Sequence, residues 1–461
     1  MTETLTSPAP GDEAPQPPGD DSFATGARVL SVGIASTGIF TFAYLATASH
    51  VLSKAAYSRI SLCWAIMFVI LSVIYRPIEQ LLSRTIADRE ARGLSGHILR
   101  TPAIIQSSFA VLFLIVALAL RHTIEQSVFD GSSSLYWILV IGVLAYAGSY
   151  FARGWLAGHK RFALYGALVF LESTSRFLFA LAVAVGIGSG QGAVGLGMAV
   201  APFVSLCVIP FAFSRVKRVA APAGIEVADA GREGPAHAQV EEAAVDLSLR
   251  HGSGFAAAVV AIMLSEQTLM NAGVLIVAAS RGSSGGIASG LTGFVFNVLL
   301  IVRAPLQLFQ AIQTSILPHL AGLEANESAE QFHRAIRLTV LVIAGFALAV
   351  ALGLLAIGPF VMKAVLGSHG FTYDRFGLAV VGLGMGLHLA SGTFNQAALA
   401  RGRASAAALC WLTAAALFVL FVAFHAISND VTCVEVGYFG ATAVLCTLLT
   451  GVYRLGPRTA T

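Results

Sequence analysis

Charge is what this 461-residue chain has least of. Only 11% of its residues are Asp, Glu, Lys or Arg, against roughly a quarter in soluble globular proteins. That excludes a chain dissolved in water over most of its length. The net charge of +4 is too small to imply a nucleic-acid partner, and none is expected. The five cysteines (Cys63, Cys207, Cys410, Cys433, Cys446) show neither CxxC nor Cys/His spacing. This excludes a zinc ribbon or a disulfide framework, and they read as small core residues. A Gly-rich phosphate loop before Lys-Ser/Thr and an HExxH pair are also missing, so no metal site, bound cofactor or catalytic residue is expected. Before its first base, Arg28, the chain carries Pro8, Pro10, Pro15, Pro17, Pro18 and several acids. A secretory signal needs a basic start and an apolar core, so residues 1–26 read as a disordered cytoplasmic tail.

What remains is hydrophobic: 56% apolar residues and a mean hydropathy of +0.79. A membrane-crossing helix needs about 20 apolar residues. Twelve runs meet this need: Val29–Ser49, Ser61–Leu81, Pro102–Leu120, Leu135–Phe151, Phe162–Ile187 and Gly192–Phe213, then Gly254–Ala279, Ile287–Leu308, Arg337–Ile357, Leu378–Ala398, Ala404–His425 and Val434–Tyr453. Between the two sets lies Ser214–Arg250, the one long polar passage inside the chain, with Pro222, Pro235 and no aromatic residue. Its composition buries too little apolar surface to offset the entropy of ordering it. The expected fold is all-α: two six-helix lobes, 27–213 and 251–455, joined by a linker over 214–250 and ending in a short cytoplasmic tail, 456–461. The acidic stretch Val240–Leu249 reads as a surface helix leading into the seventh span.

Basic residues give the orientation. If the N-terminus is inside, only Lys54, Arg59, Arg121, Arg281, Lys363 and Arg375 of the 28 Lys/Arg fall outside, with Arg176 within a span. Such an excess places both termini and the linker in the cytoplasm of a cell's inner membrane. An internal repeat supports the two-lobe division. Arg76-Pro-Ile-Glu-Gln-Leu81 closes span 2 as Arg303-Ala-Pro-Leu-Gln-Leu308 closes span 8. After spans 4 and 10, Leu156-Ala-Gly-His-Lys160 is echoed by Leu399-Ala-Arg-Gly-Arg403. With an even number of spans per lobe, the repeats are parallel, related by a pseudo-two-fold axis along the membrane normal.

Ionisable groups inside a membrane are costly and mark functional candidates. Glu172 and Arg176 sit four apart in span 5, Glu first, so they share a helix face and can pair. They either line a polar cavity, with Arg176 offered to an anionic head group, or neutralise each other against neighbouring helices. Glu266, in mid-span 7 beside Gln267, has no cation nearby in sequence. It either couples a cation, H+ or Na+, or sits as a hydrogen-bonded acid in the bundle. His388 in span 10 is the second ion-coupling candidate, against a satisfied core imidazole. Arg76 and Arg303, each near a proline at a span end, read as inner-surface anchors or as two guanidiniums flanking a vestibule that suits phosphate oxygens.

The run Tyr57-Ser-Arg-Ile-Ser-Leu-Cys-Trp64, the span after it, and Arg76-Pro-Ile-Glu-Gln-Leu-Leu-Ser-Arg-Thr-Ile-Ala-Asp-Arg-Glu-Ala-Arg-Gly93 resemble polysaccharide-biosynthesis flippases. These belong to the multidrug/oligosaccharidyl-lipid/polysaccharide (MOP) exporter superfamily. The turn Leu156–Lys160 and the six-plus-six plan resemble them too, over residues 27–455. The resemblance implies two lobes that alternate access to a central cavity, and a lipid-linked oligosaccharide or related precursor as cargo. The expected partners are membrane lipids, that lipid-linked glycan and glycan-synthesis enzymes. Two rival functions stay open: a cation-coupled exporter of small amphipathic compounds, and a multispan glycan polymerase or ligase. The second is disfavoured because the longest outer loop, Gly358–Gly377, is too short to build a catalytic domain. A scaffold in a cell-wall synthesis complex is a third.

Overall fold

The computed structural model describes residues 20–91, 99–210, 235–282, 285, 287, 289–303, 305–306, 329–367 and 370–455. Among them the chain is all-helical. The helices are α1 (Asp20–Val51), α2 (Lys54–Ala91), α3 (Arg100–Ala119), α4 (Ser133–Gly158), α5 (Phe162–Ala184), α6 (Gly190–Ser205), α7 (Pro235–Gly282), α8 (Leu291–Arg303), α9 (Ala329–Leu366), α10 (Arg375–Ala400), α11 (Ala404–Ala423) and α12 (Asp430–Arg454). Ten of them, among the described residues, are long and apolar enough to cross a membrane. Large apolar side chains such as Leu112 and Ile115 on α3 or Leu341 and Val342 on α9 stand exposed, a surface suited to lipid rather than water. The chain is a multi-pass membrane protein.

The expected element boundaries shift outward in places. α1 already starts at Asp20, and α7 starts at Pro235, so the helix containing span 7 takes in the acidic stretch Val240–Leu249 without a break. Residues 211–234, which take in the first part of the expected linker, residues 1–19 of the expected N-terminal tail and the tail 456–461 lie outside the described residues. α4 runs on to Gly158, so Arg153, expected beyond the end of span 4, sits inside the helix. α2 likewise continues past Pro77 to Ala91.

Two lobes repeat one packing scheme. In the first, α1 packs on α5, α4 on α6, and α5 on α6; in the second, α7 packs on α11, α10 on α12, and α11 on α12. The helix ends repeat as well. At the end of α4, Arg161 N–H donates to Leu156 O (2.8 Å) and Lys160 N–H to Ala157 O (3.0 Å), with Lys160 at φ 56°. At the end of α10, Arg403 N–H donates to Ala398 O (2.8 Å) and Gly402 N–H to Leu399 O (3.1 Å), with Gly402 at φ 70°. Both are Schellman caps, which satisfy the last helix carbonyls through one left-handed residue. The repeat read from sequence is therefore real at these turns, although Lys160 aligns with Gly402 rather than with Arg403. The ends of α5 and α11 match in the same way, at Gly186 and His425.

These turns define two ends of the molecule. The near end carries the α4–α5 and α10–α11 turns; the far end carries the α1–α2, α5–α6 and α11–α12 turns. At the far end the lobes meet directly. Tyr57 OH donates to Asn297 Oδ1 and Gly293 N–H donates to Ser58 Oγ (3.1 Å) across the two lobes, while within the second lobe Asn297 Nδ2 donates to Leu366 O and Tyr373 OH (both 3.3 Å). Burial pushes the Tyr373 hydroxyl up to about 12, so it keeps its proton at any physiological pH. α2 also lies along α7.

Backbones approach closely inside the first lobe. A Cβ placed on Gly33 of α1 would lie 2.7 Å from the Gly166 Cα of α5, the small-residue contact that membrane helices use to pack without a hydrophobic drive between them. Gly33→Ala should therefore lower stability by about 1–3 kcal/mol. Gly345→Ala, on α9 with open space around it, should be neutral or mildly stabilising. Thermal midpoints of the purified variants in detergent check this, and equal behaviour of the two would contradict the packing.

Candidate functional site: a charge network across two lobes

The first lobe holds a buried ion network built on α5. Glu172 and Arg176, 5% and 2% exposed, form the expected pair, with Arg176 Nη2 donating to Glu172 Oε1 (3.0 Å). A second cation comes from α4: Arg153 donates to Glu172 Oε2, as does Ser149 Oγ (3.1 Å). The carboxylate is thus held by two guanidiniums and a hydroxyl. Arg176 also donates to Tyr146 OH (2.6 Å) and lies 5.0 Å from the Trp64 ring and 5.5 Å from Phe68. Arg153 lies 4.6 Å from the Tyr150 ring. Aromatic faces supply negative potential to a cation that water cannot reach. Arg176 is therefore packed inside the lobe, rather than offered on a cavity wall.

Sequence reasoning misses two members of the network. Arg153 reads as a topology marker because the apolar run of span 4 ends two residues before it. Glu79 on α2 reads as part of a helix end; in the structure Tyr165 OH of α5 donates to its Oε1 (2.6 Å), and Arg153 and Arg76 are the cations that act on it. The signal that points to Arg153 is Glu172 itself, since a deep carboxylate calls for more than one donor. Across Arg76, Arg153, Arg176, Glu79 and Glu172 the lobe carries one more positive than negative charge.

The balancing acid belongs to the other lobe. Glu266 on α7, expected without a cation, lies where its charge acts on Arg76 of α2, and on Tyr438 of α12. The Tyr438 hydroxyl is in turn 2.9 Å from His388 Nδ1. His388 is 2% exposed, is 5.4 Å from the Trp411 ring, and has no hydrogen-bond partner at Nε2. Tyr438 and His388 are thus a hydrogen-bonded pair inside the second lobe, and the charge of Glu266 acts both on that tyrosine and, from the other lobe, on Arg76. Beside Glu266, Gln267 Oε1 accepts from Asn271 Nδ2 (3.2 Å).

Arg303 does not mirror Arg76. It is 8% exposed, donates to Asn271 Oδ1 (2.7 Å) and Met270 O (3.0 Å) of α7, and lies 4.6 Å from the Phe296 ring. No acid pairs with it among the described residues. The two arginines occupy equivalent helices, yet Arg303 is a buried strut inside its lobe while Arg76 is only partly buried and faces the seam. They do not flank one vestibule as a pair. No group of three or more His, Cys, Asp or Glu that could hold a metal occurs among the described residues.

No protein-family profile and no curated protein sequence matches the chain. Solved structures do match in shape. A point mutant of the Vibrio cholerae MATE transporter VcmN superposes with a TM-score of 0.60 at 12% identity, covering 95% of this chain and 98% of that one. The chain has the fold of a MATE transporter. The eukaryotic MATE transporter AtDTX14 gives 0.61 at 11% identity, covering 94% and 96%. The inward-facing conformation of a multidrug resistance MATE family transporter of the MOP superfamily gives 0.58 at 14%, covering 93% and 97%. The MATE fold accounts for the two lobes, while the ion network just described is specified by this chain's own residues.

Breaking that network in halves separates its members. Glu172→Gln leaves two buried guanidiniums uncompensated and should cost about 3–5 kcal/mol, seen as a lowered thermal midpoint and poor yield. Adding Arg153→Gln to Glu172→Gln should recover part of that loss. Additive losses would mean that Arg153 and Glu172 do not act together.

Proposed function

We propose that the protein is a membrane transporter working by alternating access, and that its cargo is a lipid-linked oligosaccharide or a related polysaccharide precursor bearing phosphate. The MATE fold over nearly the whole chain supports the first part. The observation that carries the second is Arg76: the surplus cation of the first lobe is balanced by Glu266 from the second. If the lobes part, as alternating access requires, Arg76 loses that counter-charge in surroundings that do not tolerate a bare guanidinium. Phosphate oxygens are the natural replacement, since guanidinium binds them in a fork geometry. The glycan would then sit between the lobes while the lipid tail stays in the bilayer.

The same separation strips Glu266 of its cation. It then needs H+ or Na+, which ties cargo binding on one lobe to cation binding on the other. His388, reached through Tyr438, is the second group on this path. The protein is proposed to lie in a cell's inner membrane with both termini in the cytoplasm, on the distribution of its basic residues.

A second reading, a cation-coupled exporter of small amphipathic compounds, is favoured by the likeness to a multidrug resistance MATE family transporter. It shares the coupling at Glu266 but leaves the cationic surplus at Arg76 without a purpose.

Flipping of a labelled lipid-linked oligosaccharide in proteoliposomes tests the proposal. Arg76→Gln should reduce it by about tenfold or more, the equivalent of about 1.4 kcal/mol, with little change in protein level. Glu266→Gln should remove the dependence of transport on pH or Na+. Normal flipping by the Arg76 variant would refute the anionic-cargo reading, and unaltered flipping of a drug-like amphipath by the same variant would favour the exporter.

A further inference from the structure

The outer face of the first lobe carries a groove that nothing in the charge network uses. Two stripes of side chains wall it, one on α4 with Ser134, Trp137 and Ile141, the other on α6 with Leu196, Val200 and Phe203. Both follow the spacing that puts residues on one helix face. The groove holds about 390 Å³, within the usual range for a small-ligand site. Its wall is hydrocarbon and indole, with the Ser134 hydroxyl at its far end. Trp137, Ile141, Leu196 and Phe203 stand exposed, so it opens to lipid. From Gly192 to Phe203 the α6 wall rises about 16 Å, close to half of a bilayer's hydrocarbon depth of about 30 Å.

A cation stands at the far-end mouth of the groove. Arg121, just past the end of α3, lies 5.4 Å from the ring of Trp137 and 5.8 Å from that of Tyr136. Its Nε donates to Glu125 Oε2 (3.3 Å), and its two Nη groups have no hydrogen-bond partner among the described residues. The side chain is half-exposed. The starts of α4 and α6 are tied together at the same end: Arg59 Nε donates to Gln191 Oε1 (2.8 Å) and Gln191 Nε2 to Ser132 Oγ (3.1 Å). The first turns of both helices point their N–H groups that way, and neither has a side-chain cap. A guanidinium and two helix N-termini at the mouth of a hydrocarbon groove match a phosphate joined to an acyl chain.

We propose that this groove is a binding site for one phospholipid of the far-end leaflet, with an acyl chain between α4 and α6 and the phosphate on Arg121. The site is independent of what the cargo proves to be. Glu125 and Asp130, each ion-paired to an arginine, keep the mouth near neutral, which suits the zwitterionic phosphoethanolamine head group. The segment that carries Arg121 also reaches the other lobe. Its Val128 packs on the cluster of Leu62, Ala278 and Ile287, the last two of which belong to the second lobe. A lipid seated on Arg121 therefore braces the far-end closure of the lobes from outside.

Lipid retention by the purified full-length protein in detergent, read by native mass spectrometry, tests this without a transport assay. The delipidated protein is mixed with equal amounts of dioleoylphosphatidylethanolamine and dioleoylglycerol, which share their chains and differ in the phosphate head group. Wild type should keep the phospholipid over the diglyceride by about fivefold or more, the size expected for one guanidinium at a head group. Arg121→Gln should hold both weakly and alike. Gly192→Leu puts a side chain into the groove, where a Cβ meets nothing closer than 3.8 Å, and should lose both. Arg100→Gln, at the opposite end of α3, should behave as wild type. Equal retention of the two lipids by wild type, undiminished retention by Gly192→Leu, or a like loss in Arg100→Gln would overturn the proposal; if Gly192→Leu fails to fold, an undiminished preference in Arg121→Gln would do the same.

Discussion

A guanidinium inside a membrane must keep its counter-charge with it, and much of this structure follows from that requirement. Arg153 and Arg176 keep theirs within the first lobe, on Glu172 and among aromatic rings. Arg303 has no acid paired with it among the described residues and is held by an amide, a carbonyl and a phenyl face. Arg76 is different, because the acid that balances the first lobe's surplus is on the other one. A charge shared across a seam is a reason for the seam to close and, when the charge can be exchanged for another, a reason for it to open.

The two lobes share a backbone plan but not a chemistry. Their packing pairs and their Schellman turns repeat, as parallel repeats should. The first lobe concentrates ion pairs around mid-helix, while the second has Glu266 and a His-Tyr-Trp set there and places its Arg281–Asp430 pair at the far end. On the proposed function this division is sensible: an anion-binding lobe moves against a cation-binding lobe. Tyr57, Ser58, Gly293 and Asn297 then form the contact that must break on each cycle, and hydrogen bonds between neutral groups are of modest strength, about 1 kcal/mol each.

How much of this is legible in the sequence depends on the range of the interaction. Helices are, because hydropathy acts over one segment; so is the pairing of Glu172 with Arg176, which are one turn apart. The repeat is visible at the α4 and α10 ends, one residue out of register, because a Schellman turn fixes the place of its left-handed residue and not the identity of its neighbours. Arg153 is misplaced because an apolar window stops at the first charge, whereas the helix continues for as long as that charge finds a partner. Arg76 and Glu266, and Tyr438 and His388, lie on different helices, and no local pattern in a single sequence records such contacts.

The proposed alternating access requires the lobes to separate at the far end during the working cycle. A disulfide between Ser58→Cys and Gly293→Cys, in a protein with its five native cysteines replaced, joins α2 to α8 where Ser58 Oγ and the Gly293 N–H now meet. The measurement is flipping of lipid-linked oligosaccharide in proteoliposomes before and after reduction. No flipping is expected while the disulfide is intact, with recovery once it is reduced. Full flipping by the oxidised protein would contradict a gate at this contact.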